Sequence, residues 1–216
     1  VIADLLPAGV ASAELFADPP GLQPHPGEMS LIERAVPKRK AEFAGARHCA
    51  RVAMEKLGVA PVAIGRGERG MPLFPRGIVG SLTHCDGYRA AVLAHAMQIR
   101  TVGIDAEPNG PLPAGVLDSV SVPEERVWLK STDGDWNFDR LLFCAKEATY
   151  KAWFPLTNRW LGFEDAHITF AEESPGVGTF HSRILIPGQA LAGPPVTEFR
   201  GRWKITGSHI VAVIAA

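Results

Sequence analysis

The chain has 216 residues, 46% hydrophobic and 21% charged, an ordinary globular balance that excludes intrinsic disorder. At about 150 residues per domain, this length fits one large domain or two small, closely packed ones. A formal charge of −1, from 22 basic and 23 acidic residues, argues against a broad nucleic-acid-binding face but leaves room for a local basic pocket.

The stretch 1–16 lacks a basic leader and is interrupted by Asp4 and Pro7, so it makes a poor signal peptide. Residues 18–27 are proline-rich and predict a loop. Lys38–Leu57 predicts a helix, with Phe43, Ala46, Ala50, Ala53, Met54 and Leu57 on its apolar stripe and Gly58 at its end. Gly and Pro crowd residues 65–80, again loop. Tyr88–Ala94 and Thr101–Glu107 predict strands. Ser121-Val-Pro-Glu124 has the form of a capping box that opens a short helix. A further helix, capped by Asp135 or Asn137, should run to Phe154 and stop at Pro155. The remainder predicts strands at His167–Phe170, Thr179–Ile186, Phe199–Thr206 and His209–Ala215, the last two joined through Gly207-Ser208. Cys49, Cys85 and Cys144 form no CxxC pair, and their odd number suits neither a disulfide framework nor a cysteine zinc site. No apolar run approaches the roughly 20 residues that span a bilayer. The expectation is a soluble, cytoplasmic protein from a reducing compartment.

Chemistry enters at the acidic residues. Asp105 and Glu107 stand two apart on a strand, hence on one face with Gly103, while Val102 and Ile104 face a core. Two such carboxylates repel unless a cation or a proton intervenes, and all-oxygen ligation suits Mg²⁺ or Mn²⁺. A solvated strand end would read the same. In FCAKEATYKAWF, Leu141, Leu142, Ala145, Ala148, Thr149 and Ala152 form an apolar stripe, and Glu147 falls opposite it among Phe143, Tyr150 and Phe154. A carboxylate in an aromatic row needs a partner. Either Lys151, one turn on, or a metal shared with Asp105 and Glu107 could serve.

Lys40, Arg47 and Arg51 share an edge of the first helix with Arg39 one step round, and GRGERGMP adds Arg66 and Arg69. Guanidiniums among glycines suit a phosphate pocket, although no GxxxxGK[ST] loop is present. GSLTHCDG offers Ser81, Thr83 and His84 without the GxSxG elbow of a hydrolase.

Three segments, GSLTHCDGYRAAVLA (80–94), VGIDAE (102–107) and FCAKEATYKAW (143–153), resemble in order and approximate separation the motifs of the 4′-phosphopantetheinyl transferases. The likeness is to the single-chain type, particularly the actinobacterial, mycobacterial-type enzymes, and extends over residues 12–214. It implies an α+β fold of two similar α/β halves related by a pseudo-twofold, here 1–104 and 105–216, with coenzyme A and Mg²⁺ (or Mn²⁺) between them. It further implies Asp105, Glu107 and Glu147 as metal ligands, Glu147 as base, and Lys146 and Lys151 as active-site lysines. Ser81 and His84 would contact nucleotide phosphates, and Arg39, Arg47 and Arg66 would surround the 3′-phosphate and adenine. The implied reaction moves phosphopantetheine from coenzyme A to a serine of acyl or peptidyl carrier proteins of fatty-acid, polyketide, siderophore and nonribosomal peptide synthases, releasing adenosine 3′,5′-bisphosphate. The resemblance implies a monomer with no nucleic-acid or membrane partner. Two rivals remain: a metal-dependent nuclease or phosphodiesterase, and a non-catalytic module that binds coenzyme A or carriers.

Overall fold

The structure, a computed structural model, describes all 216 residues. Strands β1 (Ala11–Leu15), β4 (Ile78–Cys85) and β5 (Tyr88–His95) form an antiparallel sheet in the order β1-β5-β4. Helix α1 (Pro37–Lys56) covers it, and the hairpin β2 (Gly65–Arg66) and β3 (Pro72–Leu73) lies beside it. The second half holds β6 (Val102–Pro108), α2 (Val116–Val120), α3 (Pro123–Ser131), α4 (Phe138–Thr157), β7 (Ala166–Ser174), β8 (Val177–Ile184), β9 (Glu198–Ile205) and β10 (His209–Ala215). Its five strands pair antiparallel in the order β6-β10-β9-β8-β7, with α4 packed on β6 and β10. This is an α+β fold with one long helix on each sheet.

Both long helices follow from their sequence patterns. Pro37 occupies the first turn of α1, where its missing N–H costs nothing. Gly58, at φ +73°, ends the helix, with its N–H donating to Glu55 O (3.0 Å) and that of Val59 to Met54 O (2.9 Å). The apolar stripe of α1 meets β5 through Ala50, Ala53, Met54, Ala91 and Leu93. The opposite face of β5, Ala90, Val92 and Ala94, packs on Val102, Ile104 and Ala106 of β6 and on Val211 and Val213 of β10. Both faces of β5 are therefore buried, and its apolar run has no polar alternation.

The two sheets meet along β4 and β6, where side-chain hydroxyls replace a backbone ladder. Ser81 Oγ accepts from Ile104 N (3.1 Å) and Thr83 Oγ1 from Ala106 N (3.0 Å). Both contacts span 23 residues, so the strands run parallel along this seam. All of β6 belongs to the second sheet, so the division between the sheets falls at residues 96–101.

Local expectations failed in three places. Ile78–Cys85 is a strand, so the loop expected over residues 65–80 ends before Ile78. The cap of α3 sits one residue later than expected: Glu125 accepts from Val122 N (2.7 Å), while Ser121 donates to Leu117 O. Helix α4 passes Pro155 and ends at Asn158 (φ +53°), because a proline in the last turn removes only one bond and Asn158 N still reaches Phe154 O at 2.8 Å.

Gly103 sets how closely α4 lies on β6. A Cβ there would stand 2.1 Å from Ala148 O and 2.7 Å from Ala152 N, both backbone atoms. Gly103→Ala should therefore cost about 3 kcal/mol or more, a strong overpacking effect. An unchanged denaturant midpoint would show that the helix can lift off without cost.

Candidate active site

A cavity of about 560 Å³ opens between the halves, walled by α1, the β3 region, β4, β6 and α4. Arg39, Arg47, Arg69, Ser81, His84, Asp105, Glu147 and Lys151 line it. A larger depression of about 680 Å³ lies against Leu5–Pro7 and strands β7–β10 and holds none of the candidate site residues.

On the α4 side, Lys151 decides between the two readings of Glu147. Its ammonium donates to Asp105 Oδ1 (2.9 Å), Ile104 O (3.0 Å) and Leu82 O (3.3 Å), tying together β4, β6 and α4. Lys151 therefore does not serve as the i, i+4 partner of Glu147. Burial alone would lower its pKa, but the Asp105 carboxylate outweighs burial and raises it, so Lys151 stays protonated. Burial, reinforced by the Asp105 charge, pushes the Glu147 carboxyl above the ordinary glutamate range.

Asp105 Oδ2 is buried and has no partner. Glu107 pairs instead with Arg140 (3.2 Å), which also holds the Gly110 and Pro111 carbonyls. Desolvation and the neighbouring Asp105 nevertheless push Glu107 up to about 7. The three carboxylates are not drawn together as a ready metal cage. Their chemistry still fits a hard divalent cation: an all-oxygen set, an orphaned buried oxygen, and two carboxyls whose ionisation is opposed by Asp105.

On the α1 side, Arg47 is 6% exposed. It stacks on Phe43 at 3.7 Å and donates to the carbonyls of Ile64 (3.0 Å) and Gly65 (3.4 Å). Burial lowers its pKa to about 10, still cationic at neutral pH. His84 lies 2.6 Å from Arg39 Nη1 and 3.4 Å from Glu42, and burial followed by the Arg39 charge lowers its pKa.

Two expected site residues stand elsewhere. Arg66 is exposed, bonds Leu31 O and lies outside the cavity lining. Its neighbour Arg69 lines the cavity instead, 5.0 Å above the Trp160 ring. Lys146 is 4% exposed, ion-paired to Glu125 at 2.9 Å, and donates to the carbonyls of Phe163 and Ala166. Its three N–H bonds are thus all taken within the protein. Ser81 is committed to the seam as an acceptor, with its own proton free for the cavity it lines. The aromatic row divides: Tyr150 and Phe154 wall the cavity, whereas Phe143 stacks on Phe163.

Residues 27–94 match the model of the 4′-phosphopantetheinyl transferase N-terminal domain, and residues 101–190 that of the 4′-phosphopantetheinyl transferase superfamily. The chain belongs to this superfamily. It is 61% identical to the 4′-phosphopantetheinyl transferase Npt of Nocardia iowensis, covering all of this chain and 99% of that one. Identity to the 4′-phosphopantetheinyl transferase PptT of Mycobacterium tuberculosis is 56%, over 99% of this chain and 97% of the relative. Enterobactin synthase component D of Salmonella typhi is more distant, 31% identical over 83% of this chain and 73% of its own length. The chain is accordingly an enzyme, a phosphopantetheinyl transferase that draws on coenzyme A and acts on carrier proteins. Neither rival reading finds support in these relationships. No helix is long and apolar enough to cross a membrane.

Proposed function

We propose that coenzyme A lies across this cavity, its 3′-phosphate toward Arg47, Arg39 and His84 on α1 and β4, and its pyrophosphate toward Ser81 and Lys151. Asp105, Glu107 and Glu147 would hold Mg²⁺ or Mn²⁺, which when bound neutralises pyrophosphate charge. The carrier serine attacks the β-phosphorus, the bond from that phosphorus to the bridging oxygen breaks, and adenosine 3′,5′-bisphosphate departs.

Glu147 takes the serine proton, directly or through a water. The competing bases are weak candidates: Lys151 is held protonated by Asp105, and Lys146 has no free N–H or lone pair to offer. A carboxyl raised above the ordinary glutamate range is a stronger base than an ordinary one. Lys151 then offsets charge on the phosphoryl oxygens. Glu147 alone carries the reading furthest, as a half-buried carboxylate on the cavity wall whose neighbouring lysine is bonded to Asp105.

We assign the substrates to carriers of fatty-acid, polyketide, siderophore and nonribosomal peptide synthases, and the enzyme to a cytoplasmic monomer. Intact-mass analysis of an apo carrier after incubation with coenzyme A, Mg²⁺ and the enzyme tests the reaction. A carrier unchanged in mass would refute it. The same assay with chelator tests the metal requirement.

Arg47 separates recognition from catalysis. A charge-assisted bond to phosphate contributes about 1.5–3 kcal/mol, so Arg47→Ala should raise KM for coenzyme A roughly tenfold to a hundredfold at unchanged saturated rate. Dephospho-coenzyme A should be a poor substrate for the unmodified enzyme, and its deficit should shrink in the variant. Equal discrimination in both enzymes would remove Arg47 from the 3′-phosphate site.

A further inference from the structure

Glu28 is fully buried although it belongs to a short turn far in sequence from the acidic motifs. Its Oε2 accepts from Arg51 Nη1 (2.5 Å) and from the backbone N–H of Ile64 (2.7 Å), while Oε1 is buried without a partner. A carboxylate desolvated this completely is costly, and it does not line the cavity that holds the acidic site. Arg47 holds the other backbone group of the same residue and the carbonyl that follows: Arg47 Nε donates to Ile64 O (3.0 Å) and Nη2 to Gly65 O (3.4 Å). The carboxylate, the Ile64 amide, two successive carbonyls and the guanidinium form one connected chain that ends on the cavity wall.

We propose that Glu28 is a positioning residue for coenzyme A recognition: by fixing the Ile64 amide it sets the two carbonyls that hold the Arg47 guanidinium toward the cavity. The inference rests on the reading of Arg47 as an anion contact. A hydrogen-bonded loop alone would let the arginine swing among its rotamers, whereas a buried carboxylate at the far end fixes the carbonyls from behind. Arg51 compensates the Glu28 charge but does not touch the Ile64–Gly65 segment through the bonds described, so the two roles of the carboxylate can be separated by mutation.

Initial rates with coenzyme A and an apo carrier, on the full chain, test this in Glu28→Asp, Glu28→Gln, Arg51→Ala, Arg47→Ala and Glu28→Asp/Arg47→Ala. The shorter Glu28→Asp keeps a charge beside Arg51 but withdraws from the amide. It should raise KM for coenzyme A about tenfold, the scale of one weakened phosphate contact, with saturated rate and carrier KM within about twofold. Glu28→Gln keeps an oxygen for Ile64 and should restore most of the affinity. Arg51→Ala should lower thermal stability without moving KM, and Glu28→Asp should add nothing once Arg47 is alanine. A full additional loss in the double variant, or an equal KM increase in Arg51→Ala, would overturn the inference while leaving Arg47 in place. An unchanged KM in Arg47→Ala would overturn the anion reading itself, and this inference with it.

Discussion

Glu147→Gln should lower turnover by about a hundredfold to ten-thousandfold, the range for losing a general base, while the folded state survives. The substitution keeps shape and removes a charge whose ionisation is already opposed by burial and by Asp105. Stability should therefore hold or improve at neutral pH. The sign follows from linkage: a carboxyl raised above its unfolded value of 4.5 favours folding fully below that value and loses this contribution as pH rises through the folded pKa. The unmodified enzyme should lose activity on the acid side as the carboxyl takes up a proton, because only the ionised carboxylate accepts the proton of the serine. Glu147→Gln should abolish that limb from whatever rate remains. Near-normal turnover in a folded variant would remove Glu147 from both its ligand and base roles. The comparison with Arg47→Ala is informative, since the two sides of one cavity should give opposite kinetic signatures, one in turnover and the other in KM.

Much of this site was legible because its residues sit on regular elements. Asp105, Glu107 and Gly103 share a strand face by simple alternation, and that face does meet α4. The apolar stripe of α4 likewise predicts which side is buried and leaves Glu147 on the other. What sequence spacing did not reveal are partnerships across elements. The choice of Lys151 for Asp105 rather than Glu147 depends on the β4–β6 seam, and that seam is made by the hydroxyls of Ser81 and Thr83, bonded to amides 23 residues away. Arg140 bonding Glu107, and Glu28 behind Arg47, are long-range contacts with no local periodicity to announce them. Arg66 and Arg69 are indistinguishable in a glycine-rich stretch. The turn resolves them, with Arg69 at φ +53° facing the cavity and Arg66 facing Leu31.

Lys146 gives the second large effect, and it should appear in stability. Its ammonium and the Glu125 carboxylate are 2% and 0% exposed as side chains, and each is fully hydrogen-bonded. Glu125 also accepts from Val122 N (2.7 Å) and Ile168 N (2.8 Å), so the pair joins the start of α3, the middle of α4 and the start of β7. Burial lowers the Lys146 pKa, with Glu125 acting in the opposite direction to keep the pair charged. Removing one partner leaves an uncompensated buried charge, so Lys146→Met should cost about 3–5 kcal/mol. For a chain of this size that corresponds to a Tm lowered by roughly 10 °C. Replacing both members, as Lys146→Met/Glu125→Gln, keeps an oxygen for one of the two backbone amides and removes the charge, and should recover more than half of the loss. Turnover per folded molecule, measured well below Tm, should stay within about tenfold of the unmodified enzyme, because Lys146 does not line the cavity between the halves. An unchanged Tm with lost turnover would return Lys146 to the reacting groups. Loss of both in the single variant with recovery of both in the double would instead fix its role as the bolt between α3, α4 and β7.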